Sequence, residues 1–285
     1  MSEPIKTTLE KKGQRIFNSN IDKQKYSNII RKKLQLKPII PYIELHLTDH
    51  CNLNCNNCSH FAPIADKIFA DVTQFSKDME RLSRLVSNIR IITLLGGEPL
   101  LHPNITAFIS TSRKYFPKSQ IQIISNGILL PTMKEQFWET CKKNSVKIEL
   151  SVYPPYIEKQ QSWVNMAKSH SVEITIAKKT DFFDFVNILG NTDDRKNVEH
   201  CQKHFNWPML RNGRIYNCFL PALIHYYNRK YKTDIPNDEY IEIHSPNING
   251  WDILNQVTKN TKTCNYCTYR METIPSLPWT RQQDN

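Results

Sequence analysis

Three cysteines that lie close together in the chain are the residues best suited to unusual chemistry. Cys51, Cys55 and Cys58 are spaced CxxxCxxC within the segment CNLNCNNC. Iron–sulfur clusters are held by cysteine thiolates and normally take four, so a group of three predicts a [4Fe–4S] cluster with one iron open to another ligand. A zinc knuckle is the alternative, but structural zinc sites need four closed ligands, and the fourth nearby candidate is His60. The spacing favours the cluster.

A second cysteine group lies in the last third of the chain. Cys201 and Cys218 are followed much later by Cys264 and Cys267, which form a compact CxxC clamp. Four cysteines make a closed site, either for zinc or for a fully ligated [4Fe–4S] cluster, and the spacing alone does not separate these alternatives. The remaining cysteine, Cys141, lies in a helical pattern, where we expect a buried thiol that packs as a small hydrophobic group.

Glycines and small polar residues follow the predicted strands and form a third group of candidates. These candidate site residues are Gly96, Gly97, Glu98, Pro99, Ser125, Asn126 and Ser151. Paired glycines let a ligand approach the backbone closely, and a carboxylate beside them can meet a positive group. The placement of such residues after successive strands, behind a three-cysteine loop, indicates one common site. The pattern assigns no side chain as the catalytic acid or base.

The elements that position these residues follow from a hydrophobic pattern that switches between strand and helix periods. Strands are predicted at 41–48, 90–95, 120–125, 146–153 and 172–177. Helices are predicted between them at 75–88, 104–116, 132–144 and 157–170. This alternation predicts parallel βα units that form a barrel or an open sheet, with the chemistry at the carboxyl ends of the strands. The cysteine triplet and the polar motifs fall at those ends.

A smaller unit with a different pattern is predicted after residue 180. Its clearest feature is Asn212-Gly213, the strongest short hairpin signal. A helix near 220–229, a strand at 240–244 and a helix at 250–258 follow. We therefore divide the chain into a basic N-terminal extension over 1–40, a core over 41–190 and a small C-terminal α+β unit over 191–285.

Composition excludes several classes of protein. Hydrophobic residues make up 39% of the chain, and no apolar run reaches the roughly 18 residues of a membrane span. The first residues carry no secretion signal, so we expect a cytoplasmic protein with reduced thiols, and its eight cysteines point to metal or catalysis more readily than to a disulfide framework. The seven glycines cannot form GxGxxG or GxxxxGK, which excludes Rossmann and P-loop sites. Ten Lys or Arg against three acids make residues 1–40 basic, but we expect no specific nucleic-acid partner.

At these motifs the sequence resembles the radical S-adenosylmethionine (SAM) enzymes, whose signatures are CxxxCxxC after the first strand and a GGEP-like motif after the second. The resemblance covers roughly residues 41–190 and implies a partial (β/α) barrel of five or six parallel strands. It implies that Cys51, Cys55 and Cys58 hold a [4Fe–4S] cluster whose open iron binds SAM. It also implies that a flavodoxin- or ferredoxin-type reductant supplies the electron that splits SAM into a 5′-deoxyadenosyl radical, which abstracts a substrate hydrogen.

The same resemblance assigns roles to the polar candidates. The segment from Gly96 to Pro99 receives the SAM ammonium group. Contacts to the ribose or carboxylate of SAM are made by Ser125, Asn126 and Ser151. In this superfamily an aromatic residue usually precedes the third cysteine. Here that residue is Asn57, and Phe61 is the candidate for the adenine contact in its place.

Together with the upstream triplet, the second cysteine group looks like the twitch domain, a shortened relative of the SPASM domain that carries one auxiliary [4Fe–4S] cluster. A fully ligated cluster cannot bind substrate at iron, so its natural role is to accept or relay an electron. That role favours net oxidation, and known twitch enzymes include dehydrogenases of small sugar- or cyclitol-like molecules, which is the function we expect. The alternatives are oxidative modification of a peptide and, from a different class, a noncatalytic zinc-binding interaction protein.

Two other groups of residues have weaker assignments. Two large aromatic residues either wall a substrate pocket or belong to the core, namely Trp207 and Trp279. Four basic residues near the second cysteine group are candidates for binding an anionic substrate or for proton transfer, namely Arg195, Lys203, Arg211 and Arg214.

Overall fold

The structure, a computed structural model, describes residues 26–178, 181–192, 201, 207–268 and 277–282. Residues 26–33 form a helix, α1, within the predicted basic extension. Five strands follow: β1 (Ile39–His46), β2 (Asn88–Leu95), β3 (Gln120–Ser125), β4 (Lys147–Val152) and β5 (Glu173–Lys178). The helices between them are α2 (Val72–Leu85), α3 (Ile105–Tyr115), α4 (Glu135–Lys143) and α5 (Gln160–Ser169). Short 3₁₀ segments cover Ala62–Ile64, Pro99–Leu101, Leu130–Thr132, Pro154–Lys159 and Lys262–Tyr266.

The C-terminal part contributes shorter elements. Its strands are β6 (Asp181–Phe182), β7 (Met209–Arg211), β8 (Arg214–Tyr216), β9 (Ile241–Glu242) and β10 (Leu277–Pro278). Its helices are α6 (Phe219–Tyr231) and α7 (Gly250–Gln256). The predicted hairpin is present, since β7 and β8 are antiparallel around Asn212 and Gly213, which have φ values of 49° and 75°. Such positive φ values are why Asn-Gly is favoured in this turn.

One unclosed sheet organises the described residues, with strand order β5-β4-β3-β2-β1-β7-β8-β9. The five strands β1 to β5 pair in parallel, and β7 adds a sixth parallel strand on the other side of β1. The prediction of five or six parallel strands in a partial (β/α) barrel is confirmed. Because β7 pairs with β1, the C-terminal hairpin continues the sheet beside the strand that precedes the cysteine loop. The division of the chain near residue 190 stays a prediction.

The two faces of the sheet differ in chemistry, as the period-2 alternation of strands requires. Ile43 and Leu45 of β1 are buried in the main hydrophobic core, which packs the sheet against its helices. The alternate residues Tyr42 and Glu44, and Glu149 of β4, line a cavity on the opposite face. The strands were predicted as buried apolar runs. Their polar members are found on the cavity side, where they are available to a ligand.

Helix α2 begins earlier than the sequence predicts because of a side-chain cap. Asp71 is its N-cap, and the Asp71 carboxylate accepts a hydrogen bond of 2.6 Å from the backbone N–H of Gln74. Such a cap stabilises a helix by about 1 kcal/mol, so the helix starts at Val72 rather than near residue 75. Among the described residues, no helix is long and apolar enough to cross a membrane.

Candidate functional site

The carboxyl ends of the parallel strands surround a cavity of about 440 Å³. The cavity is lined by all three cysteines of the CxxxCxxC loop and by most of the polar candidates, namely Cys51, Cys55, Cys58, Gly96, Gly97, Ser125, Asn126 and Ser151. Trp207 lines it as well, together with the aromatic residues Tyr153, Phe182 and Phe219. The cysteines and the polar candidates, which are spread over a hundred positions of the chain, meet in one place because each follows or ends a parallel strand.

The cysteine triplet combines one buried residue, Cys55, with two half-buried ones, Cys51 and Cys58, whose thiolate forms repel one another. Burial raises the pKa of Cys55 to about 11, and burial likewise raises the pKa of Cys51 and Cys58. The neighbouring Cys55 and Cys58 raise the pKa of Cys51 further by charge repulsion. Thiolates this close together and this far from water need a bound cation to neutralise their charge, and a metal centre supplies one. The donor set and its burial therefore fit a metal cluster.

Glu98 joins the ends of β2 and β3 instead of facing the cavity freely. Its Oε1 accepts hydrogen bonds from the hydroxyl of Ser125 at 2.7 Å and from the backbone N–H of Leu100 at 3.0 Å. Its Oε2 accepts from the backbone N–H of Asn126 at 2.8 Å. Burial raises the pKa of Glu98 to about 7, although these hydrogen bonds favour the ionised form. Glu98 therefore positions the loop after β3.

Asn126 connects this assembly to the cysteine loop. Its Nδ2 donates to Oδ1 of Asn52 at 2.7 Å and lies 3.6 Å from Sγ of Cys51. Since Glu98 holds the backbone of Asn126, the strand-two motif, the strand-three motif and the cysteine loop form one hydrogen-bonded unit. A change in any of the three is transmitted to the other two.

The paired glycines are required by the approach of the cysteine loop to the end of β2. A Cβ atom on Gly96 would lie 2.4 Å from the carbonyl oxygen of Thr48, and one on Gly97 would lie 2.2 Å from that of His50. The backbone N–H of Gly97 donates to the Thr48 carbonyl at 2.8 Å. The sequence explained these glycines by the approach of a ligand. The structure adds a closer reason, which is packing against the loop that carries Cys51.

A buried ion pair anchors the start of the cysteine loop to the C-terminal part. The Asp49 carboxylate accepts two hydrogen bonds from Arg211, at 2.7 and 2.5 Å, and one from the Tyr226 hydroxyl. Nδ1 of His46 also lies 2.7 Å from Oδ1 of Asp49. Burial opposes ionisation, but hydrogen bonds from Arg211 and His46 hold the pKa of Asp49 well below its usual range. A bidentate pair with Arg fixes orientation as well as distance.

This pairing changes the expectation for the basic residues near the second cysteine group. Arg211 is committed to Asp49, and Arg214 pairs with Glu242 at 2.8 Å. Neither guanidinium lines the 440 Å³ cavity. The other two basic candidates, Arg195 and Lys203, lie outside the described residues. Phe61, the candidate for the adenine contact, lines a neighbouring cavity instead.

The second cysteine group also meets in one place, a cavity of about 40 Å³ lined by Cys201, Cys218, Cys264 and Cys267. Asn217 Nδ2 lies 3.6 Å from Sγ of Cys264. Burial raises the pKa of Cys201 to about 12, and the charges of Cys267 and Cys264 add to the shift. This set is separate from the triplet. Cys141, by contrast, is fully buried in the main hydrophobic core.

The C-terminal segment 277–282, which we call the tail segment, contacts the cysteine loop and was not predicted to do so. The indole Nε1–H of Trp279 donates to Sγ of Cys55 at 3.1 Å. The backbone N–H of Asn56 donates to the Thr280 carbonyl at 3.0 Å. Pairing of β10 with β6 holds the tail segment from the other side. A two-residue strand that contains proline is too short to show a strand pattern in the sequence. Trp279, next to prolines, was the sequence feature that drew attention to this segment.

Comparison with known proteins supports the resemblance seen in the sequence. A family model described as a 4Fe-4S single cluster domain matches residues 43–170. The chain is similar to the GTP 3′,8-cyclase of Heliobacterium modesticaldum, with 24% identity over 175 residues, which are 60% of this chain and 53% of that protein. It is also similar to the GTP 3′,8-cyclase of Geobacter sulfurreducens, with 32% identity over 96 residues, which are 33% of this chain and 29% of that protein. The chain therefore spans about half or less of the length of these relatives.

A solved structure supports the same assignment at the level of the fold. BtrN in complex with AdoMet and 2-DOIA superposes with a TM-score of 0.51 at 16% identity, over 82% of this chain and 94% of that one. The CxxxCxxC loop, the Gly-Gly-Glu-Pro segment, the unclosed parallel sheet and the sequence matches all point the same way. The chain carries the cysteine motif, the strand-end motif and the fold of the radical S-adenosylmethionine superfamily.

Proposed function

We propose that the protein cleaves SAM reductively and uses the resulting radical to oxidise a small sugar- or cyclitol-like molecule. The observation that carries the proposal is the presence of two separate cysteine sets, one of three facing a large cavity and one of four in a cavity of its own. When bound, a [4Fe–4S] cluster on the triplet supplies the electron that splits the SAM sulfonium to give a 5′-deoxyadenosyl radical.

The residues around the triplet fit this group better than a single zinc ion. Cys51, Cys55 and Cys58 would hold the cluster, with its fourth iron toward the cavity. Among the described residues, no three His, Cys, Asp or Glu side chains converge on a point where a single metal ion would be held. A structural zinc site needs four closed ligands, whereas a [4Fe–4S] cluster held by three cysteines keeps one iron open to another ligand, so the ligand count of the triplet supports the cluster.

SAM would bind between the strand ends. Gly96 and Gly97 offer backbone groups at the cavity wall, and Ser151 offers a hydroxyl from the end of β4. Glu98 acts by positioning, since its carboxylate holds Ser125 and Asn126 in place. The aromatic side chains around the cavity exclude water from the reacting atoms.

Glu98→Gln is expected to weaken SAM binding about ten- to a hundredfold. A glutamine can accept from Ser125, but its amide N–H₂ then faces the backbone N–H of Asn126, so one charge-assisted hydrogen bond is replaced by a clash of donors. Loss of such a bond costs roughly 1.5–3 kcal/mol. Equilibrium binding of SAM to the reconstituted protein measures the effect, and the exposed Glu139→Gln is the matched control. An unchanged SAM dissociation constant would show that Glu98 does not support the site.

The four-cysteine set supports net oxidation. With Cys201, Cys218, Cys264 and Cys267 as ligands, a [4Fe–4S] cluster would be fully coordinated and could only exchange electrons. In the oxidation of an alcohol to a ketone, the carbon-bound hydrogen goes to the 5′-deoxyadenosyl radical, the hydroxyl proton to a base, and the remaining electron to this cluster. A reductant of the flavodoxin or ferredoxin type would supply the first electron.

The lining of the large cavity supports a polyol rather than a nucleotide. GTP, which the names of the curated relatives contain, carries several negative charges. The described lining residues include Glu44 and Glu149 but no Lys or Arg side chain. The chain also covers most of BtrN, whose complex contains AdoMet and 2-DOIA. These observations favour a small polar molecule without phosphate over the substrate of the cyclases.

Anaerobic reconstitution followed by iron, sulfide and zinc assays tests the metal content. Two [4Fe–4S] clusters predict about eight irons and eight sulfides per chain. A protein that binds two zinc ions and takes up no sulfide would instead be the noncatalytic zinc-binding alternative. About four irons would mean that only one of the two cysteine sets holds a cluster.

A further inference from the structure

A buried carboxyl group with an unused oxygen lies at the floor of the large cavity. Glu44 of β1 is 4% exposed, and its Oε1 accepts a hydrogen bond from the Tyr42 hydroxyl at 3.0 Å. Its Oε2 is buried and has no hydrogen-bond partner among the described residues. Glu149 of β4 lines the same cavity and is close enough for its charge to act on Tyr42. Two acidic side chains therefore face the space below the cysteine loop.

The protein does not compensate this acidity with its own described residues. Leaving a carboxylate oxygen buried without a partner is costly, and a bound ion or ligand is one way in which such an oxygen is satisfied. Burial raises the pKa of Glu44 to about 8, which is the response of a carboxyl that lacks a nearby cation. Two arginines of the neighbouring hairpin are paired with other carboxylates, Arg211 with Asp49 and Arg214 with Glu242, and neither lines this cavity. Among the described residues no cation lowers the pKa of Glu44, so a bound cation would favour its ionised form.

We propose that Glu44, with Glu149, binds a protonated amine of the substrate, so that the protein acts on an amine-bearing polyol and rejects phosphate esters. This inference rests on the proposed function and deepens it by naming the substrate class. An ammonium group satisfies Oε2 of Glu44 with a charge-assisted hydrogen bond and balances the two carboxyl groups. A phosphate in the same place would meet like charge without any described basic side chain to offset it.

Binding to the reconstituted, oxidised protein with SAM present tests the substrate class without requiring SAM cleavage. Two sets of probes are used, each made of an amine, the corresponding alcohol and a phosphate ester. One set is glucosamine, glucose and glucose 6-phosphate, and the other is an aminodeoxyinositol, inositol and inositol monophosphate. We expect the amine of each set to bind at least about tenfold more tightly than the alcohol, because it gains one charge-assisted hydrogen bond. The phosphate should bind most weakly. The proposal would be overturned if the amine, the alcohol and the phosphate of each set bound equally well, or if none of them bound. Tighter binding of the phosphates would overturn it as well.

Glu44→Gln tests whether Glu44 is the responsible group, since glutamine keeps the shape and still accepts from Tyr42. In this variant we expect the amine and the alcohol to bind about equally well. The exposed control Glu139→Gln should keep the preference for the amine. The SAM dissociation constant, measured on the same samples, shows whether Glu44 serves SAM instead. A weakened SAM affinity with an intact amine preference would contradict the assignment. Absence of 5′-deoxyadenosine under reducing conditions would count against the proposed function, whatever the probes do.

An independent observation concerns the thiol of Cys55. The Trp279 indole N–H donates to its Sγ, and Arg281 forms a backbone bridge with the same residue. An N–H donated to Sγ stabilises negative charge on the sulfur, and Trp279 supplies such a donor at 3.1 Å. Hydrogen bonds to ligand sulfurs are one of the ways in which proteins set the potential of an iron–sulfur cluster.

We infer that Trp279 is a positioning residue that raises the reduction potential of the cluster held by the triplet. Reduction adds negative charge to the cluster and its thiolates, and an N–H donated to one thiolate stabilises the reduced form more. The inference also rests on the proposed function, because it needs a cluster at Cys55.

Trp279→Phe keeps the aromatic surface and removes the donor. We expect the ratio of reduced to oxidised cluster at a fixed potential to fall about three- to tenfold, where tenfold corresponds to 59 mV for one electron. A redox titration follows the EPR signal that changes when SAM is added, and Trp251→Phe, on α7, is the control. An unchanged or higher potential in Trp279→Phe would overturn the inference. A protein without any such EPR signal would contradict the proposed function instead.

Discussion

Replacing Cys51, Cys55 and Cys58 together by alanine is expected to abolish formation of 5′-deoxyadenosine from SAM and to leave about four irons per chain. The triplet and the four-cysteine set line separate cavities, so loss of one set of ligands leaves the other intact. Iron content and 5′-deoxyadenosine, measured by mass spectrometry with dithionite as the reductant, report the two effects separately.

Cys141→Ala is the matched control for this experiment. Cys141 is fully buried in the main core and belongs to neither set, so its loss affects packing alone. The control is expected to keep about eight irons and to form 5′-deoxyadenosine. A triple variant that still produces 5′-deoxyadenosine would mean that SAM is cleaved somewhere other than at the triplet.

Removing the second cluster is expected to separate hydrogen abstraction from product formation. In a Cys264→Ala/Cys267→Ala variant, the electron left on the substrate radical has no acceptor. The variant should form 5′-deoxyadenosine in the presence of a polyol that the wild type oxidises, and should release little or no ketone. With substrate labelled by deuterium at the reacting carbon, the label should appear in the 5′-deoxyadenosine.

Folding must be verified before that result is interpreted, because metal-binding free energy is partly folding free energy. Circular dichroism and SAM binding should match the wild type. The Arg211 ion pair with Asp49 and the pairing of β7 with β1 tie this part of the chain to the sheet independently of the cysteines. Wild-type amounts of ketone from a well-folded variant would leave the second cluster with a structural role only.

The parallel sheet and the gathering of the cysteine triplet with the strand-end motifs were accessible from the sequence, because both depend on local signals. Strand periodicity located β1 to β5, and parallel strands bring their carboxyl ends together whatever the detailed packing. The Asn212-Gly213 turn was accessible for the same reason, since its φ values are a property of the two residues.

The features that the sequence missed depend on contacts between distant parts of the chain. Glu98 resembled a free ligand-binding carboxylate, but its partners Ser125 and Asn126 come from the next strand. Arg211 resembled a substrate-binding group, but both of its terminal nitrogens donate to the Asp49 carboxylate, which lies more than a hundred residues away in the chain. Glu44 was hidden in an apolar strand pattern, and Trp279 reaches Cys55 only because the tail segment folds back.

Reductive cleavage of SAM at the cysteine triplet can be measured directly on the wild-type protein. The wild-type protein is reconstituted anaerobically, reduced with dithionite and incubated with SAM, and the products are identified by mass spectrometry. We expect 5′-deoxyadenosine and methionine to form in equal amounts, and neither product to form when the reductant is left out. Intact SAM recovered from a reduced protein that contains its full complement of iron and sulfide would contradict the account.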